Sequence, residues 1–368
     1  MTLPNGWEEK PLGQFFEFQS KSGRKAGEGS TSGKYKFFTS SDLQKKSIDS
    51  YDYDGEFLIF GTGGGASIHY CNDKFSTSTD CFTVKVKEGL RTKYAYYFMR
   101  ASMHLLEAGF HGAGLKHVSK DHIKEMKMRF PTSLKTQDRI ITLLEKAEQI
   151  KNWRKEADTL SKDYLKSVFV EMFGKGDKFI KKAIEEVCKV VSGSTPSTTK
   201  KEYWDGDIDW VTPAELEDGD NYYYYSSQRK ITKSGLNSAS TLFPKDTVML
   251  TTRAPIGKVA IAGKEMCTNQ GLKNMICKNE LSPIYLYCWL LFNKEYLNSM
   301  GVGATFKEIS KRIVEKIQIP LPPLPLQQKF ASIVEQIEKL KKQQIQSRIE
   351  ADNLFNSLMQ KAFKGELV

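Results

Sequence analysis

The sequence predicts an α+β protein with two similar domains and two long helices, related by pseudo-twofold symmetry. Three observations support this prediction: the chain contains two related halves, each half begins with short β-like runs, and each half ends with a long helical pattern. The 368 residues also fit two domains with additional helix, since one domain takes about 100 to 200 residues. Two copies are too few for a solenoid, which stacks repeats of about 20 to 50 residues.

The repeat is visible as a constant offset between the halves. GAGLKHVS at residues 112–119 aligns with GATFKEIS at residues 303–310, an offset of 191. The same offset aligns three more segments: Leu58 and Ile59 with Met249 and Leu250, residues 78–80 with residues 269–271, and Gln137 with Gln328. Upstream, FFTSSDL at residues 37–43 aligns with WVTPAEL at residues 210–216 at an offset of 173. The second half therefore carries 18 extra residues between Leu216 and Met249.

Each half is predicted to contain the same order of elements. A short amphipathic segment, at residues 12–18 or 184–190, leads into a turn of small residues. β-like runs separated by Gly, Asn, Asp and Pro follow. These runs are residues 35–38, 56–60 and 81–86 in the first half, and residues 247–250, 259–262 and 273–277 in the second. A helical pattern comes next, at residues 93–107 and 284–300.

Each half closes with a helical pattern of about 38 residues, roughly 57 Å at 1.5 Å per residue. Its seam residues recur at the a/d spacing of a coiled coil. They are Ile140, Leu143, Ala147, Ile150, Ala157, Leu160, Tyr164 and Val168 in the first helix, and Phe330, Ile333, Ile337, Leu340, Gln344, Ser347, Ala351, Leu354 and Leu358 in the second. A helix of this length cannot bury its seam against one small domain. We therefore expect the two helices to form an antiparallel coiled coil; the alternative is that each packs on its own domain.

Charge and cysteine usage narrow the functional class. Lysine and arginine exceed aspartate and glutamate by 11, which favours a polyanionic partner such as nucleic acid. The six cysteines lack zinc-like spacing and follow no secretory signal, so we expect reduced thiols in a cytoplasmic protein. The longest apolar stretches fall far short of the roughly 18 residues of a membrane span, and no membrane is expected as a partner.

The sequence also lacks the motifs typical of methyltransferases and of phosphate-loop enzymes that hydrolyse nucleotides. Its one Pro-Pro pair, Pro322 and Pro323, is flanked by leucines and does not form the Asn/Asp-Pro-Pro-aromatic motif of a methyltransferase. GTGGGAS at residues 61–67 lacks the Gly-Lys-Ser/Thr ending of a phosphate-binding loop. The five histidines do not have the spacing of a metal site or a catalytic triad. We therefore expect no catalytic residue, metal site or cofactor.

Several segments form a recognisable set in this order along the chain: LPNGWEEKPLG at residues 3–13, TTRAPIGKVAI at 251–261 followed by CTNQGLK at 267–273, IPLPPLPLQQK at 319–329, and KAFKGELV at 361–368. Together they resemble the specificity subunit of type I restriction-modification systems. The resemblance implies a first target-recognition domain at residues 1–135, a first helical spacer at 136–176, a second target-recognition domain at 177–326 and a second helical spacer at 327–368. One departure is FPTSLKTQD at residues 130–138, where the family favours a second proline and a glutamine pair.

The resemblance implies a non-catalytic subunit that reads a bipartite target in double-stranded DNA, with one half-site per domain. It also implies docking to two methyltransferase subunits and, through the complex, to restriction subunits. Two other classes stay open: the recognition portion of a single-chain restriction enzyme, and a basic coiled-coil scaffold that binds RNA or protein. An adjacent methyltransferase reading frame would favour the multisubunit complex, and binding without preference among duplexes would favour the scaffold.

If the chain reads DNA, the duplicated loops are the expected contact points, because base readout needs donors and acceptors on loops or helix ends. The candidate DNA-binding residues are Arg24, Lys25, Thr62, His111, Lys116 and His117 in the first half, and Ser194, Thr195, Thr252, Arg253, Lys258, Thr305 and Lys307 in the second. For each of them, a structural turn or a solvated charge is the alternative. The four tyrosines at residues 222–225 are expected to pack in a core or an interface rather than to stack on DNA.

Overall fold

A computed structural model describes residues 3–112, 114, 116–174, 178–217, 222–253, 255–303 and 307–367. The chain divides into two compact units. The first unit comprises Met1–Lys155 and Gln346–Val368, and the second comprises Glu156–Ile345. Both boundaries fall inside a long helix, so each unit contains one part of each long helix.

The first unit is built on a six-stranded sheet. The strands of the whole unit are β1 (Trp7–Pro11), β2 (Phe16–Phe18), β3 (Tyr35–Phe38), β4 (Lys46–Ile48), β5 (Tyr53–Gly61), β6 (Ser67–Thr77), β7 (Cys81–Val86) and β8 (Lys127–Pro131). Its helices are α1 (Thr92–Ala101), α2 (Met103–Glu107), α3 (Lys120–Glu125) and the first part of α4 (Leu134–Phe173). The sheet has the order β2-β7-β5-β6-β3-β4, and β1 pairs separately with β8. The β3–β6 pair is parallel, whereas the other pairs are antiparallel.

Both faces of this sheet are buried, because alternate residues of a strand point to opposite faces. Leu58 and Phe60 of β5 lie in the main core with Tyr94 of α1. Ile59, between them, lies in a smaller core with Phe75 on the other face. The main core also contains residues of both long helices, which anchors those helices to the unit.

The second unit repeats this plan. Its strands are β9 (Lys181–Ala183), β10 (Cys188–Ser192), β11 (Trp204–Val211), β12 (Tyr223–Tyr224), β13 (Lys230–Ile231), β14 (Val248–Thr251), β15 (Val259–Ala262), β16 (Cys267–Thr268), β17 (Leu272–Cys277) and β18 (Gln318–Pro320). Its helices are the second part of α4, α5 (Ile184–Val187), α6 (Lys233–Ala239), α7 (Pro283–Phe292), α8 (Lys294–Ser299), α9 (Lys311–Lys316) and the first part of α10 (Leu324–Lys364). The sheets have the orders β10-β17-β14-β15-β12, β13-β11-β16 and β18-β9.

Backbone hydrogen bonds confirm the predicted repeat. The N–H of Ser78 donates to Phe38 in the first unit at 2.8 Å, and the N–H of Asn269 donates to Val211 in the second at 3.0 Å. These four residues are related by the predicted offsets of 191 and 173. The duplicated architecture of two mixed helix and sheet domains was therefore predicted correctly.

The alignment of one strand is wrong by a single residue. Leu58 pairs with Val84 in the first unit, and Val248 pairs with Met275 in the second. Val84 and Met275 keep the offset of 191, so Leu58 corresponds to Val248 rather than to Met249. The predicted alignment would have placed Leu58 and its counterpart on opposite faces of their sheets.

The buried glutamine that starts each long helix was also misaligned. Gln137 corresponds to Gln327, not to Gln328, because both buried side chains make the same set of hydrogen bonds to the backbone. Gln137 accepts from Arg91 N–H and donates to the carbonyls of Gly89 and Pro131, whereas Gln327 accepts from Ser282 N–H and donates to Glu280 and Pro322. Gln328 is exposed.

The extra residues of the second unit lie between Leu216 and Met249, as predicted, but the offset of 190 between Leu58 and Val248 makes them 190 − 173 = 17, one fewer than predicted. Strand β13 pairs with β11 as β4 pairs with β3, so the extra residues fall on both sides of β13. One group contains β12, and the other contains α6. Tyr222, just before β12, is buried in the main core, which confirms the packing predicted for it, whereas Tyr225 is exposed.

The long helices α4 and α10 run antiparallel in the second unit. Ser161 of α4 donates to Gln344 of α10 at 3.2 Å, and Phe173, further along α4, contacts Phe330, further back along α10. In the first unit Lys151 forms an ion pair with Asp352 at 3.0 Å. Among the described residues, no helix combines the length and apolar character needed to cross a membrane.

The predicted seam of these helices is wrong in part. The seam residues that are exposed are Leu143, Ile150, Leu160, Tyr164, Leu340 and Leu354. The buried apolar helix residues outside the predicted seam are Ile141, Leu144, Leu165, Phe169, Phe173, Val334, Phe355, Met359 and Ala362. The reason is that each helix packs against the sheet cores of both units in turn, so the domains as well as the opposite helix determine its buried face.

Candidate nucleic-acid interface

Backbone hydrogen bonds gather four loops of the first unit into one group, which we name the first loop cluster: residues 22–25, 62–65 and 78–80, with residues 111, 112 and 116–118. The bonds that join these loops are Thr79 N–H to Arg24 O (2.8 Å), Thr62 N–H to Asp80 O (2.8 Å), Val118 N–H to Thr62 O (3.2 Å) and Gly64 N–H to Lys116 O (3.2 Å). The loops predicted to contact DNA thus lie together, although they are far apart in the sequence.

Thr62 is at the centre of the first loop cluster, but its side chain is buried. Its N–H donates to Asp80, and its carbonyl accepts from the N–H of Val118 and lies 3.1 Å from Nδ1 of His117. In this structure Thr62 therefore holds the loops together through its backbone.

The loop of residues 111, 112 and 116–118 presents three exposed candidate residues. His111 and His117 form a two-way backbone bridge, with N···O distances of 3.1 and 3.0 Å, and Lys116 precedes His117. Gly112 has a φ of 146°, and its counterpart Gly303 has a φ of 130°. Only glycine adopts such conformations readily, which explains why glycine starts both copies of this loop. The turn exposes the side chains of His111, Lys116 and His117.

Arg24 is held by a carboxylate, whereas its neighbour Lys25 is exposed. The guanidinium of Arg24 donates to both carboxylate oxygens of Asp52, with shortest distances of 2.9 Å, and Ser22 Oγ donates to Asp52 at 3.1 Å. Burial of Asp52 opposes its ionisation, but the hydrogen bonds from Arg24, Ser22 and Ser76, together with the charge of Arg24, outweigh burial and lower the pKa of Asp52. Asp52 thus fixes the direction of the Arg24 side chain and partly offsets its charge.

Backbone hydrogen bonds join the corresponding loops of the second unit in the same way, and we call this arrangement bracing. We name residues 193–197, 251–253 and 268–271, with residues 302, 303 and 307–309, the second loop cluster. Its bonds are Ser194 N–H to Thr268 O, Thr252 N–H to Gly271 O and Ile309 N–H to Thr252 O, each 2.9 Å long. Thr252 is buried and takes the place of Thr62, while Val302 and Glu308 form the two-way bridge that His111 and His117 form in the first unit.

The other candidate residues of the second unit differ in whether their side chains already have a partner within the protein. Ser194 donates to the Ala239 carbonyl, Thr195 donates to Gln270, and Lys258 Nζ donates to the Leu216 carbonyl at 2.7 Å. Arg253 is exposed and forms an ion pair with Glu308 at 3.1 Å. Lys307 is exposed. Thr305 lies outside the described residues.

Sequence reasoning missed Arg229, which the fold brings to this cluster. Its guanidinium stacks on Trp204 at 3.8 Å from the ring centre and lies 5.2 Å from the ring centre of Trp210. The indole of Trp210 donates to the carbonyl of Ser194 at 2.9 Å, which links this stack to the second loop cluster. The two tryptophans were visible in the sequence, but only the pairing of β13 with β11 places Arg229 beside them.

Lys273 is a second residue that sequence reasoning missed. It is buried below the second loop cluster, where its amine donates to the carbonyl of Gln270 at 3.1 Å. Burial lowers the pKa of Lys273, although Glu308 opposes this effect. The buried amine thus fixes the turn at Gln270 through its hydrogen bond to that carbonyl.

Comparison with known proteins places both halves in one family. The model of the type I restriction modification DNA specificity domain matches residues 4–158 and again residues 177–351. The two matches cover most of the chain and coincide with its internal repeat.

Two curated relatives and one solved structure are similar to this chain. The specificity subunit of the type I restriction enzyme MjaIX from Methanocaldococcus jannaschii is 37% identical over 188 residues, which are 50% of this chain and 42% of that protein. This match thus spans less than half the length of that relative. The EcoDI specificity subunit from Escherichia coli is 21% identical over 411 aligned positions, covering 99% of this chain and 89% of that protein.

The solved structure is the S subunit of a type I restriction-modification system from M. genitalium. It has a TM-score of 0.64 at 16% identity and covers 99% of this chain and 98% of that one. At this identity the likeness concerns the fold alone, and it extends over both units.

Proposed function

The chain belongs to the family of type I restriction modification DNA specificity domains and carries two of them, and we propose that it reads a bipartite DNA target, with one half-site per domain. The observation that carries this proposal is the repeated bracing of the two loop clusters. Thr62 and Thr252 join the same loops by the same backbone bonds, so each half presents one similar surface. Two similar surfaces suit two short blocks of sequence.

We propose a division of roles among the exposed residues of the loop clusters. Lys25, Lys116 and Lys307 are exposed and contact phosphates, since a lysine amine acts as a mobile point charge. His111, His117 and Arg253 are exposed beside the loop bridges and contact base edges. The net charge of +11 adds sequence-independent attraction to the duplex.

The segments keep the roles predicted for them. Residues 1–135 and 177–326 act as target-recognition domains, and residues 136–176 and 327–368 act as helical spacers. The chain itself is not catalytic in this proposal. Methyltransferase subunits, and restriction subunits through the complex, supply the chemistry in the cytoplasm.

Exposed apolar pairs on the long helices support docking of two methyltransferase subunits. In the first unit Ile150 and Leu354 are 38% and 48% exposed, and in the second Leu340 and Tyr164 are 55% and 58% exposed. A shift of 190 positions relates Ile150 to Leu340, and the same shift relates Tyr164 to Leu354. Large exposed apolar side chains favour a protein interface, and their repetition favours one methyltransferase subunit per unit.

Selection from a random duplex library tests the DNA-reading proposal. The chain, alone and with its methyltransferase subunits, would be used to enrich bound duplexes, which are then sequenced. We expect two short blocks separated by a fixed run of unread bases, and an affinity that falls steeply with salt. Enrichment of one block only, or of none, would contradict the proposal. Methyl transfer by the isolated chain would contradict its non-catalytic role.

A further inference from the structure

The second unit contains an internal example of strand addition. Strand β12 pairs in parallel with β15, where the N–H groups of Ile261 and Gly263 donate to the carbonyls of Tyr222 and Tyr224 at 2.5 and 2.8 Å. The ring of Tyr222 is buried against Tyr287, with 5.5 Å between the ring centres. Its hydroxyl donates to the carbonyl of Val334 in α10 at 2.7 Å. One extended segment thus joins the sheet and fills a groove beside the long helix.

The first unit has the same groove without this segment. Tyr70 corresponds to Ile261, because Tyr70 pairs with Leu58 as Ile261 pairs with Val248. By the repeat offsets, Tyr96 corresponds to Tyr287 and Leu144 to Val334. Along the outer edge of β6, strand β3 pairs with residues 75–77, and no described strand of the first unit covers residues 68–72 of that edge. This edge offers the backbone groups that β15 uses to hold β12.

The grooves of the two units differ in volume. In the first unit the groove has a volume of about 430 Å³ and is lined by Tyr70, Tyr96, Tyr97, Glu145, Glu148 and Asn152. In the second unit the corresponding space is about 240 Å³, and its walls include Tyr222, Tyr223 and Tyr225. The helix residues Glu335, Glu338 and Lys342 of the second groove correspond to Glu145, Glu148 and Asn152 of the first. The extra segment of the second unit therefore accounts for the smaller space.

The acidic groups of the first groove already have partners. Glu148 accepts from Tyr97 Oη at 2.8 Å and forms an ion pair with Arg100, and Glu145 forms an ion pair with Lys93. A cationic ligand is therefore not needed to satisfy them. Tyr96 is partly exposed in this groove, whereas its counterpart Tyr287 is buried. The ring of Tyr96 contacts the rings of Tyr70 and Tyr97, at 5.9 and 5.4 Å between ring centres, and its exposed part offers a surface on which a further aromatic ring can pack.

We propose that the outer edge of β6 and this groove bind an extended, tyrosine-bearing segment of a partner protein. The segment adds to β6 as a parallel strand. One of its tyrosine rings packs on Tyr96, and the hydroxyl of that tyrosine donates to the carbonyl of Leu144, as Tyr222 packs on Tyr287 and donates to the carbonyl of Val334. Main-chain bonds to the sheet edge supply affinity, and the groove selects the aromatic side chain. This site goes beyond DNA reading and does not depend on it.

The probe for this site is a labelled peptide with the sequence DNYYYYSSQ of residues 220–228, added to the full chain and followed by fluorescence anisotropy. We expect saturable binding. Asn72→Pro should weaken it by about tenfold or more, because it removes the N–H that corresponds to that of Gly263. Asn72→Ala keeps this N–H and should leave binding within about twofold. A peptide with Phe in place of its first Tyr should bind about fivefold more weakly, since it lacks the hydroxyl donor.

Circular dichroism and DNA binding of each variant check that it is folded. If Asn72→Pro does not fold, Tyr96→Ala replaces it and should weaken peptide binding by about fivefold or more, because it removes the ring contact. Absence of saturable binding at about 1 mM chain would overturn the proposal. Equal binding by Asn72→Pro and Asn72→Ala would also overturn it. Failure of the unmodified chain to bind DNA would instead count against the proposed function and would leave the proposal of this peptide site unaffected.

Discussion

Gln137 and Gln327 occupy the same point of the two domains, and each makes hydrogen bonds to three backbone groups with one buried amide. In each case the acceptor oxygen receives the N–H of the residue that precedes an apolar helix, Arg91 before α1 or Ser282 before α7. The amide nitrogen donates to a carbonyl just before the long helix. Each glutamine thus attaches a long helix to its domain.

Replacing either glutamine should destabilise its own domain. Gln137→Ala or Gln327→Ala removes three hydrogen bonds and leaves buried backbone groups without partners, which should cost about 3 kcal/mol in the free energy of unfolding. Urea denaturation of the full chain measures this loss. The matched control is Gln328→Ala, which changes an exposed neighbour and should cost less than about 0.5 kcal/mol. Equal losses for Gln327→Ala and Gln328→Ala would contradict the structural alignment.

Removing one exposed lysine from a loop cluster should weaken DNA binding in a sequence-independent way. We expect Lys116→Ala or Lys307→Ala to lower affinity for all duplexes and to reduce the slope of log K against log salt by about one. Titrations at several salt concentrations test this. Lys127→Ala, an exposed lysine of β8 outside the cluster, is the control and should leave the slope unchanged. A similar change of slope for Lys127→Ala would mean that the loop clusters are not the binding surface.

The two domains should read their half-sites independently. His117→Ala lies in the first loop cluster and should relax the base preference of one block, while Arg253→Ala should relax the other, with a loss of about 1 to 3 kcal/mol in discrimination. Library selection with each variant and with the unmodified chain reveals which positions change. If one substitution altered both blocks, the assignment of one half-site to each domain would be wrong.

The buried hydroxyl of Tyr222 should stabilise the second unit. Tyr222→Phe removes its hydrogen bond to the carbonyl of Val334 and keeps the ring, so it should cost about 1 kcal/mol. Thermal and urea unfolding measure this change. Tyr225→Phe, at an exposed position of the same segment, is the matched control and should be neutral within about 0.5 kcal/mol. A neutral result for Tyr222→Phe would show that the hydroxyl contributes nothing to stability.

The ion pair between Arg24 and Asp52 predicts a pH dependence of stability. The pKa of Asp52 is lower in the folded chain than its ordinary value of 3.8, so the pair contributes stability above that pH and loses it as the pH falls through the folded-state pKa. We expect Asp52→Asn to be less stable than the unmodified chain by about 1 kcal/mol at pH 7. The difference should shrink below the ordinary pKa of 3.8. Urea unfolding across this range tests it, and a difference that grows in acid would contradict the sign.

The duplicated fold was predictable because paired motifs kept nearly constant offsets through strands, turns and helices. The predicted offset of 191 still aligned Leu58 with Met249 and Gln137 with Gln328, one residue away from their true counterparts. When a loop changes length by one residue, the shifted alignment still matches apolar residues with apolar ones and polar residues with polar ones. Only strand pairing and hydrogen bonds distinguish the two alignments.

The site was predictable at the level of loops but not of side chains. The loops that carry the predicted DNA-binding residues do meet in each unit, yet Thr62 and Thr252 turn inward and hold these loops together. A threonine in a glycine-rich loop looks the same in sequence whether it faces solvent or the backbone of another loop. Similarly, Arg24 and Asp52 are far apart in the sequence and meet only in the folded domain. Arg229 comes close to the second loop cluster only because β13 pairs with β11, a pairing that the spacing of motifs in the sequence did not indicate.

The bracing of the loop clusters has a consequence for how new target preferences can arise. Thr62 and Thr252 are joined to the neighbouring loops mainly by bonds between main-chain groups, to which side chains add contacts such as those of His117 Nδ1 with the Thr62 carbonyl and of Thr252 Oγ1 with the Gly271 carbonyl. Main-chain bonds are available to every residue except proline as a donor. The outward side chains beside them therefore carry little of the folding energy. Mutation or recombination can replace those side chains, and so change which bases a domain prefers, while the framework that presents them stays intact.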